Sequence, residues 1–294
     1  MTEHIPTATF GDRLFATFQY VIPKRALSRL IYSVMRAESP AFKRMLIGSF
    51  LKGYRVDMAE AVQGDPFAYR SFNEFFTRAL RPGARTLAPG ADIIVSPVDG
   101  TVSQAGPLHG DEIIQAKGIH YSALELLAGD REATQHYHGG NFTCIYLAPY
   151  NYHRIHMPFS GQLLKTVYVP GDLFSVNAAT ARAVPRVFAR NERVICEFET
   201  VLGRMAVILV GALFVGSMET VYAGEINPPP RRQKQAVNIS KGLGQALTKG
   251  AELGRFNMGS TVVLMFEPNR MRWEEFLQPQ TTLRMGQAIG ASLG

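Results

Sequence analysis

Only two cysteines and one tryptophan occur among the 294 residues. So few cysteines exclude a disulfide-stapled secreted scaffold and a four-cysteine zinc site. Long apolar runs are missing too. The longest, Met205 to Gly216, is about a dozen residues interrupted by Gly211, short of the ~20 that a spanning helix needs. The first residues, Met-Thr-Glu-His-Ile-Pro, carry no basic stretch followed by an apolar one, so no signal peptide is expected. A Gly-x-Ser-x-Gly nucleophile elbow is absent. What is present is 46% hydrophobic and 19% charged residues, enough to bury a large core, which excludes wholesale disorder. The expectation is a cytoplasmic protein with Cys144 and Cys196 reduced and packed in apolar strands.

The net charge of +7 is concentrated in one place. Between Arg13 and Arg55 lie nine cations and a single anion, Glu38, which leaves the rest of the chain near neutral. In the same stretch apolar residues recur at helical spacing: Leu14, Phe15, Phe18 and Val21, then Leu27, Leu30, Ile31, Val34 and Met35, then Phe42, Met45, Leu46 and Phe50. Pro23 reads as just inside a second helix and Ser39-Pro40 as the opening of a third. Three amphipathic helices flanked by Lys and Arg suit either packing on the body or an interfacial membrane anchor, each cation near an anionic leaflet adding about 1 kcal/mol. No recognised nucleic-acid motif accompanies the charge, so nucleic acid is not an expected partner.

From about Asp92 onward the periodicity shortens. Ile93 to Val95, Phe142 to Leu147, Leu163 to Val169, Val194 to Phe198, Met205 to Val210 and Thr261 to Phe266 read as strands punctuated by Gly, Pro and Asn. A short helix is expected to begin at Ser122, and Asn227 to Gln235, with three prolines and Arg231-Arg232, reads as an exposed loop. The fold class is therefore α+β. It comprises an amphipathic helical region over residues 1–65 and a β-rich body of antiparallel sheets, sandwich- or barrel-like, over 66–294.

Three segments could carry chemistry. Tyr152-His153-Arg154-Ile155-His156 sets two histidines three residues apart; on a strand they face opposite ways, and a helical zinc pair prefers a spacing of four. Asp99, in Ser96-Pro97-Val98-Asp99-Gly100, follows an apolar strand as a turn residue or an acid. Ser260 follows Gly259, and glycine tolerates a backbone that presses the serine hydroxyl against the preceding carbonyl, an arrangement suited to a serine attacking its own chain. An Asp, a His and a Ser can form a triad in any sequence order.

These segments closely resemble the bacterial phosphatidylserine decarboxylases, which are self-processing proenzymes. The resemblance runs from about residue 12 to 290. It is carried by Ser71 to Arg78, Pro97 to Gly100, Gln115 to Gly118 with Tyr121-Ser122, Tyr152 to Pro158, Val169 to Asn177, Phe188 to Arg193 and Gly254-Arg255-Phe256 before Met258-Gly259-Ser260-Thr261. Met258 stands where the family commonly has Leu, a nearly isovolumetric apolar exchange. The resemblance implies that Asp99, His156 and Ser260 form the charge relay for self-cleavage between Gly259 and Ser260. Residues 1–259 would become a large chain and 260–294 a small one, with Ser260 converted to an N-terminal pyruvoyl group. That ketone would form a Schiff base with phosphatidylserine and take up electrons as CO2 leaves, with no metal and no pyridoxal phosphate. His153 is the candidate proton donor to the carbanion and Ser175 a weaker substrate-binding candidate. The implied partners are an anionic lipid surface at the cytoplasmic face of the inner membrane and a second copy of the chain. The alternative is a membrane-associated Ser-His-Asp lipid hydrolase that keeps its chain intact.

Overall fold

The computed structural model describes residues 7–213, 217–226 and 235–294. The first six residues, the end of the apolar run at 214–216 and the proline- and arginine-rich segment 227–234, most of the stretch expected as a loop, lie outside them.

The expected apolar runs are strands of one large antiparallel sheet. In spatial order its strands are Val237–Asn238, Gly161–Val169, Arg193–Thr200, Gly203–Val210, Thr261–Phe266, Asn141–Tyr146, Gly100–Pro107 and Thr282–Leu283, with Ala246–Leu247 also pairing Gly161–Val169. Both faces are covered. Val262, Leu264 and Phe266 enter one core cluster with Cys196 and Phe198, while Val263 and Met265 enter another with Cys144, Ile195 and Ile208. Side chains alternate across a strand, so burial on both sides makes these segments read as unbroken apolar runs. Both cysteines are buried and unpaired, as expected. The sheet stays open: its two-residue edge strands do not pair with each other among the described residues, so of the anticipated shapes a closed barrel does not form.

Smaller sheets flank it. A four-stranded one orders Gly224–Ile226, Met218–Thr220, Glu252–Phe256 and Arg154–His156, and a three-stranded one orders Ile93–Val95, Ala288–Ser292 and Met271–Trp273. Ser122 caps a short helix, Ala123–Leu126, by a capping box with Glu125.

The basic arm folds as three helices, α1 (Phe10–Val21), α2 (Lys24–Met35) and α3 (Pro40–Gly53). Pro23 stands one residue outside α2, its ψ of 67° being non-helical, whereas Pro40 occupies the first turn of α3. In α3, Ile47 is fully buried against Tyr69 and the aromatic face of α4 (Phe72–Phe76). Helix α1 is inverted relative to a soluble amphipathic helix. It buries Asp12, Ala16 and Gln19, and leaves Phe10, Leu14, Phe18 and Val21 between 59% and 83% exposed. Its inward face holds by polar contacts: Asp12 accepts from Arg182 at 2.9 and 3.0 Å, and Gln19 Nε2 donates to Thr180 Oγ1 at 2.9 Å. Some arm cations also turn inward. The Lys24 ammonium lies 3.6 Å from the Phe174 ring centre, Arg36 pairs with Glu225, and Lys43 donates to the Tyr69 carbonyl.

Truncating Ile47 leaves a cavity that the α3–α4 aromatics cannot collapse into freely. Ile47→Ala should lower unfolding free energy by about 2–5 kcal/mol in urea titrations, and an unshifted midpoint would mean that α3 does not unfold with the body.

Candidate active site

Strand Glu252–Phe256 belongs to the four-stranded sheet and strand Thr261–Phe266 to the large one, so residues 257–260 cross between sheets. The crossing is pinned at its end, where the Leu147 amide donates to the Ser260 carbonyl at 2.8 Å. Ser260 is fully buried, and neither its hydroxyl nor that of Thr261 has a hydrogen-bond partner. Gly259 has little room: an added Cβ would stand 3.3 Å from both His153 Cε1 and the Leu147 carbonyl oxygen.

His153 is thus the histidine beside the Gly259–Ser260 bond. Its ring is fully buried and stacks on Phe76 with centroids 4.0 Å apart. Nε2 lies 3.3 Å from the Pro149 carbonyl oxygen, which can only accept, so Nε2 carries the proton. Nδ1 then holds a bare lone pair, buried and without a partner. Burial pushes the pKa of His153 down to about 3, so the ring is neutral.

His156 faces the other way, as a spacing of three on extended chain dictates. Its Nδ1 donates to the Gly250 carbonyl at 2.8 Å, and its Nε2 accepts from the Tyr152 hydroxyl at 3.0 Å. Burial lowers its pKa as well. Asp99, nearly buried in the turn before strand Gly100–Pro107, is held by Arg85: Nε donates to Oδ1 at 3.0 Å and Nη2 to Oδ2 at 2.5 Å. The Met285 amide also donates to Oδ1 at 2.8 Å, and Arg85 pairs with Glu60 at 2.8 Å. Among the described residues Asp99, His156 and Ser260 share no hydrogen bond with one another.

A cavity of about 290 Å³ opens on the crossing, lined by Gly259, Met258, Ser175, Phe76, Phe50 of α3 and Tyr54, which caps the end of α3. Ser175 therefore does reach the same cavity as Gly259, and its amide donates to Gln19 of α1 at 2.7 Å. A larger cavity of about 520 Å³ lies beyond Tyr146 and Val176, which line both, and does not include Gly259. No group of three or more His, Cys, Asp or Glu side chains that could hold a metal occurs among the described residues.

Sequence reasoning missed Arg85, Phe76 and Leu147, which meet the site only through tertiary folding. Tyr152 was legible in principle, four residues before His156 in the same motif.

Comparison with known proteins gives a consistent result. The family profile described as phosphatidylserine decarboxylase matches residues 72–291, and a second, described as PSD, matches residues 14–55. A phosphatidylserine decarboxylase proenzyme of Methylococcus capsulatus is 47% identical over 284 residues, covering 97% of this chain and 98% of that protein. Proenzymes of the same name from Shewanella sp. strain MR-7 and Shewanella baltica strain OS155 are each 50% identical over 281 residues, covering 95% of this chain and 96% of theirs.

The buried neutral imidazole has a consequence for stability. The unfolded chain takes up a proton near pH 6.5 that folded His153 refuses until about 3, so stability is lost as pH falls from 6.5 toward 3. His153→Phe, which preserves stacking on Phe76, should flatten the decline of urea midpoints between pH 7 and 5. An unchanged slope would assign the acid sensitivity to other groups.

Proposed function

We propose, since the chain belongs to the phosphatidylserine decarboxylase family, that it converts phosphatidylserine to phosphatidylethanolamine and CO2 and makes its own pyruvoyl group by cutting between Gly259 and Ser260. The observation that carries this reading is the crossing itself. Ser260 Oγ and His153 Nδ1 are both buried without partners, and Gly259 packs so closely that an added Cβ would stand 3.3 Å from His153 Cε1. Leaving a buried polar atom unpaired costs about 1–3 kcal/mol, a poor choice for a permanent hydroxyl and a reasonable one for a serine that is consumed.

The cut balances on the chain's own atoms and one water. A base takes the Ser260 hydroxyl proton, Oγ bonds to the Gly259 carbonyl carbon, and the peptide C–N bond breaks to leave an ester and a free amine on residue 260. Loss of the Cα proton with cleavage of the Cβ–Oγ bond frees the Gly259 carboxylate. The enamine left on residue 260 shifts to an imine, and water releases ammonia and leaves the ketone. The assigned relay is Asp99, His156 and Ser260, in which Asp99 orients the imidazole and His156 removes the proton. In the resting chain His156 Nε2 is engaged by Tyr152 and Nδ1 by the Gly250 carbonyl, so this relay requires His156 to exchange those partners for Ser260 and Asp99.

The pyruvoyl carbonyl supplies the electron-accepting group that α-decarboxylation of an amino acid needs. His153 manages the proton. It is assigned as the donor of the proton that Cα takes up once CO2 has left. Ser175, on the wall of the same cavity, is assigned to headgroup binding.

The arm over residues 1–65 is assigned to seating the enzyme on the anionic, cytoplasmic face of the inner membrane. Supporting this are the outward apolar face of α1 and the exposed cations Arg13 of α1 and Arg25 and Arg29 of α2. No helix among the described residues is long and apolar enough to cross a membrane.

Intact-mass spectrometry of active protein should find the 35 residues 260–294 as a separate chain with a pyruvoyl N-terminus; a single full-length mass in active enzyme would overturn the reading in favour of an uncut hydrolase. Ser260→Ala should abolish both cutting and CO2 release. His156→Ala should leave the precursor uncut, whereas His153→Ala should cut and then fail to release CO2. Loss of cutting in His153→Ala would make His153 the base for both steps.

A further inference from the structure

The crossing that carries the cut bond is gripped at its start by one residue, Asn257, which is 2% exposed. Its amide donates to the Ser217 carbonyl at 3.1 Å, and its own carbonyl accepts from Asn73 Nδ2 of α4 at 2.7 Å. Its side-chain Nδ2 donates to Ser217 Oγ at 2.7 Å and reaches Glu225 Oε1 at 3.5 Å. Ser217 Oγ in turn donates to the same Glu225 oxygen.

Glu225 is the hub. It sits on Gly224–Ile226, the edge strand of the sheet that contains Glu252–Phe256. Among the described residues, the other donors to its carboxylate come from the arm. Arg36, capping the end of α2, donates from Nη2 to Oε1 at 2.8 Å, and the Tyr32 hydroxyl donates to Oε2 at 3.0 Å. The Arg36 guanidinium lies 3.7 Å from the Tyr32 ring centre, and the same Nη2 reaches Ser217 Oγ at 3.4 Å. One carboxylate therefore collects donors from the arm, from Ser217 and from Asn257.

The geometry gives this cluster a use beyond joining arm to body. Ser260 is fixed by Leu147 at one end of the crossing and Asn257 is fixed at the other, with only Met258 and Gly259 between. The direction of the Gly259 carbonyl then depends on where Asn257 sits. A reaction between neighbouring groups responds steeply to such placement, about 100-fold for a displacement near 1 Å.

We propose that Glu225 is a positioning residue for self-cleavage. Through Ser217 and Asn257 it holds the Gly259 carbonyl within reach of Ser260 Oγ, and Arg36 of the arm keeps Glu225 in place. This rests on the cut between Gly259 and Ser260 assigned above.

Pulse-labelled full-length chain, made by cell-free translation and followed on denaturing gels, reads the first-order rate of cutting. Glu225→Ala should slow it by about 10- to 100-fold. Arg36→Met should slow it less, and the double variant should be no slower than Glu225→Ala, because Arg36 acts through Glu225. Folding is separated by repeating each substitution on a Ser260→Ala background, which stays uncut, and comparing melting midpoints. Should Glu225→Ala fail to fold there, Glu225→Gln, which keeps the size, decides the matter by the same comparison. Slowing without a matching loss of melting midpoint supports the proposal. A wild-type rate, slowing that only tracks lost stability, or additive effects of the two substitutions would overturn it. Failure of the wild-type chain itself to cut would instead remove the reading on which it rests.

Discussion

Strand Thr261–Phe266 is hydrogen-bonded along its whole length on both sides, to Gly203–Val210 and to Asn141–Tyr146. Every one of its six side chains is buried, three to each face. A strand so placed cannot slide by one residue without turning each core side chain to the wrong layer. That register fixes Thr261, and through it the buried Ser260 and the crossing to the neighbouring sheet. The placement of Gly259 inherits its precision from the core of the sheet.

Around that fixed point the two histidines divide space. His153 is sealed beneath Phe76 with an unpartnered Nδ1, while His156 is tied to Tyr152 and the Gly250 carbonyl. Both are kept neutral by the same cause, removal from water, which disfavours the imidazolium. Asp99 differs, since the buried Arg85 guanidinium gives its carboxylate a two-pronged partner. The two imidazoles are thus uncharged and the Asp99 carboxylate already paired.

Much of this was legible in the residues. The three arm helices announced themselves by 3.6-residue spacing, and the inner strands by apolar runs that only a sheet covered on both faces would need. The spacing of His153 and His156 already placed them on opposite sides of extended chain. Three things were not legible. Periodicity located the apolar stripe of α1 but not that Asp12 and Gln19 would be the side turned inward, because their partners, Arg182, Thr180 and Ser175, lie more than 150 residues away. The grip of Arg85 on Asp99 comes from a loop with no periodic signal. Two-residue strands such as Thr282–Leu283 exist only because a longer neighbour offers its edge.

The central position of Thr261–Phe266 also bears on what remains after a cut at Gly259–Ser260. The shorter piece would supply the middle strand of the large sheet and, through Met271–Trp273 and Ala288–Ser292, two of the three strands of another. It could not leave without stripping two full ladders of hydrogen bonds and baring both cores. The severed protein would behave as an interlocked heterodimer of its own halves. Its unfolding would release two chains, and recovery of the fold would become a second-order encounter that grows slower with dilution, so that the protein's lifetime would be governed by how rarely it opens.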